Sequence, residues 1–247
     1  MFPIGDENEP GHGPAIVTLV IIAINLAVFF LIQLSSEAFT YGWAAVPREI
    51  TTGQDIVRAT VVDIGGQQLT IPQAPGPSPI QLTLLSSMFM HGGFAHILGN
   101  MLFLWVFGDN VEHAVGRLVF LVFYIVAGLA ASFAQIAVEP DSLVPTLGAS
   151  GAISGVLGAY IVLFPNNRVQ VILGYFVTVV PAVFAIGLWA ALQFVNGFGQ
   201  IAATDETAGG VAYLAHVGGF VTGVLAGLLF RAMGMGRRAA RWAAYRR

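Results

Sequence analysis

Long apolar runs broken by short polar segments dominate this chain of 247 residues. Six runs stand out, at about 15–34, 82–107, 118–138, 150–164, 171–195 and 211–230. Several reach the ~20 residues needed to cross a hydrocarbon core of about 30 Å. A transmembrane barrel would instead show short segments of alternating polarity. The expected fold is therefore all-α, a bundle of six transmembrane helices.

Three runs carry local signals. The second is long, so its first turns are expected in the membrane interface. The fourth is short and rich in glycine. The fifth contains Pro181, which predicts either a kink or the point where the helix begins. Residues 41–80 form the largest loop. Within it, residues 56–64 and 67–71 flank Gly65-Gly66 and predict a small β-hairpin. A proline-rich stretch at 74–79 leads back to the membrane.

Composition agrees: 56% of residues are hydrophobic and 9% charged, too little charge to coat a soluble domain of this size. The leader MFPIGDENEPGHG is acidic, and no small-residue cleavage site follows it, so the first run is expected to be an uncleaved span. With no cysteine there is no disulfide, thiolate nucleophile or Cys-based metal site. Lysine is also absent, which removes any Ser–Lys dyad.

The arginines predict orientation. Arg237, Arg238, Arg241, Arg246 and Arg247 follow the sixth run, with Arg231 at its edge. The positive-inside rule makes that end cytoplasmic, and six spans return the amino terminus to the same side. Arg117 and Arg168 then fall in inner loops, leaving only Arg48 and Arg58 outside, where Glu139, Asp141, Asp205 and Glu206 also lie. The expected division is a cytoplasmic leader over 1–13, a six-helix domain over 14–232 and a basic cytoplasmic tail over 233–247. The expected setting is a prokaryotic plasma membrane.

On this topology Ser150 opens the fourth span, and His216 lies roughly 8 Å below the start of the sixth. His96 and Asn100 occupy the outer half of the second. Four polar side chains thus share one depth on three helices, and ionisable residues inside a membrane are functional candidates. Gly151-x-x-x-Gly155, followed by Ala159, and Ala215-x-x-x-Gly219-x-x-x-Gly223-x-x-x-Gly227 give the fourth and sixth spans small faces that allow close approach. That packing would join hydroxyl to imidazole, a dyad in which His216 takes the proton and Ser150 attacks a carbonyl. The plainer reading of Ser150 is a helix N-cap.

An acyl-transfer site also needs donors for the developing oxyanion. His96 and Asn100, four residues apart, share a face that can supply them; interhelical hydrogen bonding is the competing role. His91 is expected to be interfacial or structural, His113 belongs to an inner loop, and His12 to the leader. Asp109, Glu112 and Arg117 are expected to tie that inner loop down through salt bridges and helix caps. No His-Glu-x-x-His occurs, and Asp109 is the single membrane-edge carboxylate, so zinc and aspartyl mechanisms lack their groups.

Four segments together carry a resemblance: His96-Ile97-Leu98-Gly99-Asn100, the run from Phe107 through Val111-Glu112 to Gly116-Arg117, Gly148-Ala149-Ser150-Gly151, and Ala215-His216-x-x-Gly219-x-x-x-Gly223. In this order and spacing the chain resembles the rhomboid family of intramembrane serine proteases. The resemblance implies a six-helix core, Ser150 as nucleophile, His216 as general base, and His96 and Asn100 in the oxyanion hole. It implies single-span membrane proteins as substrates, the lipid bilayer as setting, and no cofactor, metal or nucleic acid. It also implies that the fifth helix and residues 196–210 form a gate and cap. Two departures stand out: the external loop lacks a Trp-Arg pair found in some members, and Ser154 replaces an aromatic residue that in some members stacks on the base.

Two rivals compete with a protease. A rhomboid-like scaffold would bind membrane segments without cutting them, though such relatives are expected to have lost the serine or histidine. A transporter or channel would place polar groups through the full membrane depth, whereas here they cluster in one half.

Overall fold

A computed structural model describes residues 2–8, 13–64, 67–202 and 212–236, which are mostly helical. Strand β1 (Phe2–Asp6) precedes α1 (Ile16–Ala27), which continues as a π segment, Val28–Ile32, and a 3-10 turn, Gln33–Ser35. Two short helices follow, α2 (Glu37–Trp43) and α3 (Pro47–Thr52), then strands β2 (Thr60–Ile64) and β3 (Gln67–Ile71). The strands pair antiparallel with Ile64 opposite Gln67, which leaves two residues for the connection; the Gly65-Gly66 turn lies outside the described residues. A single turn, α4 (Thr83–Ser86), leads to α5 (Phe94–Val115), α6 (Arg117–Val138) and α7 (Ser150–Leu163). Strands β4 (Arg168–Leu173) and β5 (Phe176–Pro181), then helices α8 (Ala182–Ala202) and α9 (Tyr213–Ala232), complete the chain.

Among the described residues, three helical segments are long and apolar enough to cross a membrane: Ile16–Ser35, Arg117–Val138 and Tyr213–Ala232. A fourth is added if the bent pair Ile80–Phe89 and Phe94–Val115 is one span. The α7 helix and the Ala182–Gly197 part of α8 are shorter apolar helices.

Four expectations change. The second run is not one helix: its two halves meet at 75° across a break at residues 90–93, where Gly92-Gly93 provides poor helix formers. The polar stretch from Asp109 to Val115 is not a loop but the last turns of α5, and Gly116 alone (φ 87°) turns the chain into α6. The fifth run does not begin as a helix. Residues 168–181 form the β4–β5 hairpin around Gly174 (φ 59°), and the helix starts just after Pro181, where proline suits a first helical turn. Hydropathy alone does not separate an apolar hairpin from a helix. The β1 strand, expected within a leader, adds to β4 to make a sheet of order β1-β4-β5.

The buried centre is α7. Every residue from Gly151 to Tyr160 is buried, and the helix is enclosed by α5, α6 and α9. Apolar side chains gain little by leaving lipid for protein, so packing must come from close contact. Here that means backbone against backbone. A Cβ on Gly219 would overlap the Gly151 carbonyl oxygen, and one on Gly223 would overlap that of Gly155. On its other side α7 meets α6: Cβ atoms on Gly151 and Gly155 would lie 2.6 and 2.5 Å from the Cβ atoms of Ala131 and Ala127.

The end of the bundle away from Ser150 is tied by polar groups. Buried Glu112 caps α1, accepting from the Val17 and Thr18 amides at 3.0 and 2.7 Å and from Thr18 Oγ1 at 2.8 Å, as a carboxylate at a helix N-terminus should. Asp6 of β1 accepts from Tyr160 Oη and, at 2.7 Å, from Asn110 Nδ2. Burial pushes the Asp6 carboxyl up to about 7; the Tyr160 and Asn110 hydrogen bonds oppose this, and the Asp109 and Glu7 charges add to it.

Two outcomes are expected. Gly223→Val should push α9 off α7, costing about 1–3 kcal/mol or more; thermal unfolding in detergent should show a lowered transition. The raised carboxyl of Asp6 means that the docked strand holds a proton that the free chain has lost between about pH 4 and 7. Docking of β1 should therefore be tightest at acid pH and weaken as pH rises through that window. Hydrogen-exchange protection factors for residues 2–6 should fall between about pH 4 and 7, and Asp6→Asn should flatten the dependence.

Candidate active site

The segment leading into α7 is held from two sides. Ala45 and Thr146 exchange both backbone hydrogen bonds, at 3.0 and 2.8 Å, and the Gly148 amide donates to the Ser87 carbonyl at 2.9 Å. Gly148 adopts φ 138°, which side-chain-bearing residues rarely reach, and a Cβ there would lie 2.9 Å from His96 Cε1 and Nε2. Only glycine meets both constraints. Two residues later Ser150 begins α7, so its amide has no acceptor one turn back within the helix.

Across the α7–α9 contact, Ser150 Oγ lies 2.8 Å from His216 Nε2. The other ring nitrogen, Nδ1, lies 2.8 Å from Oε1 of Gln193 on α8. A carbonyl oxygen can only accept, so Nδ1 carries the proton, and Nε2 is left with the lone pair that receives the Ser150 hydroxyl. Trp189 and Tyr213 flank the imidazole, with ring centroids 6.1 and 6.5 Å away. Ser154, four residues after Ser150, donates its hydroxyl to the Ser150 carbonyl at 2.6 Å. The ring of His216 is therefore held by α8 and by its own helix.

The other two candidates converge on the same place. His96 lies against Gly148, and its Nδ1 accepts from the Gly92 amide at 3.3 Å. That bond leaves Nε2 as the protonated, donating nitrogen, on the side facing Gly148. One helical turn further, Asn100 is buried, and its Nδ2 has no hydrogen-bond partner. A buried amide donor without an acceptor is rare and costly in a folded protein.

The remaining histidines stand apart from the dyad. His91 is buried. Gln33 holds its backbone, accepting from its amide at 2.9 Å and donating to its carbonyl at 3.2 Å, while its ring meets His96 edge-on at 5.1 Å. His113 Nε2 lies 2.9 Å from the Gly13 carbonyl oxygen at the other end of the molecule. Among the described residues no group of three His, Asp or Glu side chains could hold a metal ion. His12, most of the 196–210 segment and the basic tail beyond residue 236 lie outside the described residues.

Sequence reasoning missed Gln193. Its signal was present: an amide inside an apolar run, four residues after Trp189 and so on the same helical face.

Comparison with known proteins agrees with the earlier resemblance. The family model of the rhomboid domain matches residues 80–233. Rhomboid protease GluP of Bacillus subtilis (strain 168) is 28% identical over 215 residues, covering 87% of this chain and 35% of the relative. Rhomboid protein 1, mitochondrial, of Saccharomyces cerevisiae is 33% identical over 162 residues, covering 60% of this chain and 41% of the relative. Presenilin-associated rhomboid-like protein, mitochondrial, of Homo sapiens is 34% identical over 91 residues, 36% of this chain and 24% of the relative. The chain thus spans less than half the length of each of these relatives.

Proposed function

This chain belongs to the rhomboid family, and on that premise we propose that it is an intramembrane serine endopeptidase cleaving single-span membrane proteins. The observation that carries this reading is the 2.8 Å contact between Ser150 Oγ and His216 Nε2, with His216 in the tautomer that accepts a proton.

In the proposed reaction His216 Nε2 takes the Ser150 proton as Oγ bonds to the scissile carbonyl carbon. The carbonyl oxygen gains the negative charge. Asn100 Nδ2, His96 Nε2–H and the Ser150 amide are the donors for it, and an acceptor of this kind would satisfy the orphaned Asn100 amide. Collapse of the tetrahedral adduct breaks the C–N bond, and the imidazolium gives its proton to the leaving amine. Water, activated by the same imidazole, then hydrolyses the acyl-serine. The cycle needs no metal or redox group.

An apolar cleft between α5 and α8, lined among others by Phe103, Phe107, Ile186, Leu188 and Trp189, supports a hydrophobic substrate. Pro3 and Val171 of the β1-β4 sheet also line it, as does Trp189, which flanks His216. Given six spans, the arginine distribution supports both termini being cytoplasmic, with Ser150 opening toward the outer side.

Purified protein should cleave a single-span substrate and be labelled at Ser150 by a fluorophosphonate. Ser150→Ala and His216→Ala should abolish cleavage while leaving the thermal transition in place. A folded wild-type protein whose Ser150 never labels would favour the scaffold reading instead. Asn100→Ala should lower kcat by about 10²–10³ with little change in KM, the cost of one oxyanion donor.

A further inference from the structure

We propose that Gln193 is the positioning residue for the general base, fixing the tautomer of His216 from a separate helix; the role rests on the Ser150–His216 reading above. Hydrolysis through Nε2 requires the imidazole proton on Nδ1. An imidazole without a partner at Nδ1 exchanges between tautomers and can turn about its side-chain bond, and both motions remove the lone pair from Ser150. The amide oxygen 2.8 Å from Nδ1 selects the productive form. The reverse amide orientation would point an N–H₂ donor at Nδ1, force the proton to Nε2 and break the hydrogen bond from Ser150. Ser150 Oγ could then only accept from Nε2–H, so just one of the two arrangements leaves Nε2 free to take the Ser150 proton.

The way α8 packs gives this role its consequence. Trp189 and Gln193 lie one turn apart on the face toward α9, and the Trp189 ring also meets Phe220 at 6.2 Å. Elsewhere the helix exposes Phe184, Leu188, Leu192 and Val195. Gln193 therefore reaches the imidazole only while α8 lies against α9. Displacement of α8 removes the acceptor and leaves the base unoriented, so a competent dyad requires a docked α8.

The test compares wild-type protein with Gln193→Met, which has similar length and no acceptor at the end, and Gln193→Glu, which offers an acceptor oxygen in either protonation state. Three quantities are read: the fluorophosphonate inactivation rate, kcat and KM for a single-span substrate, and the thermal transition. Gln193→Met should slow inactivation and lower kcat by about tenfold, near the upper value of one net hydrogen bond, with KM changed less than twofold. Gln193→Glu should recover to within about threefold of wild type. A Gln193→Met protein that reacts at the wild-type rate or faster overturns the proposal, because the amide would then only tether α8. Equal slowing in both variants with a raised KM also overturns it, as general distortion.

An activity-independent arm uses ¹⁵N imidazole shifts of His216 in a Ser150→Ala background. With Gln193 present, Nδ1 should carry the proton; with Gln193→Met, the two tautomers should mix. Unchanged shifts reject the positioning role even if the variants fold poorly or turnover is low. Failure of wild-type protein to label counts against the dyad, whereas normal labelling with unchanged variants counts against Gln193 alone.

Discussion

The close backbone approach of α7 to α9 is the constraint from which the rest of the arrangement follows. Gly219 and Gly223 stand where any Cβ would overlap a carbonyl oxygen of α7. That distance is shorter than side-chain interdigitation permits, and it sets the reach between Ser150 and His216. Serine has a single rotatable carbon and His216 projects from the neighbouring helix, so neither can compensate for helices held a side chain's width further apart. The small-residue stripe is therefore as much part of the candidate site as the two groups it joins.

The two ends of the bundle are stabilised by different physics. Near Ser150, backbone hydrogen bonds tie Ala45 to Thr146 and Ser87 to Gly148, and the Gln33 side chain holds the backbone of His91. These fix the entry to α7 while leaving polar side chains half-buried beside it. At the other end, side-chain carboxylates meet helix ends and amides, with Glu112 on α1 and Asp6 among Tyr160 and Asn110. That end joins the β-sheet to α5 and α7.

Much of this was legible in the sequence because the strongest signals are one-dimensional. Apolar run length located α1, α6, α7 and α9 within a few residues, and the i, i+4 spacing put His96 and Asn100 on one face. The small-residue spacing correctly paired the helices that carry Ser150 and His216. What failed was the reading of apolar character as helix. Residues 168–181 are hydrophobic enough for a span, yet β-branched residues, a turn at Gly174 and a third strand from residues 2–6 make a sheet. The β4–β5 pairing is local and was outweighed by hydropathy, whereas the third strand, more than 160 positions away, lies outside any local window. The break at Gly92-Gly93 was missed for the same cause, whereas the helical character of 109–115 was missed because local polarity was weighed above helix propensity. Gln193 was missed because its meaning is a pairwise contact, visible only once α8 is placed against α9.

An amide beside the imidazole also makes physical sense where a carboxylate might be looked for. In aqueous triads an acid orients the histidine and stabilises the imidazolium that forms. Within a bilayer, a carboxylate costs about 2.5–3.5 kcal/mol on insertion scales, and more if its counter-charge appears only during the reaction. Glutamine separates the two tasks: its oxygen fixes tautomer and ring direction at no charge cost, but it offers only a dipole to the imidazolium. The proposed chemistry therefore relies on orientation more than on charge stabilisation. An enzyme built this way would be sensitive to sub-ångström shifts at the α8–α9 contact, because geometry, not Coulomb attraction, holds its base in place.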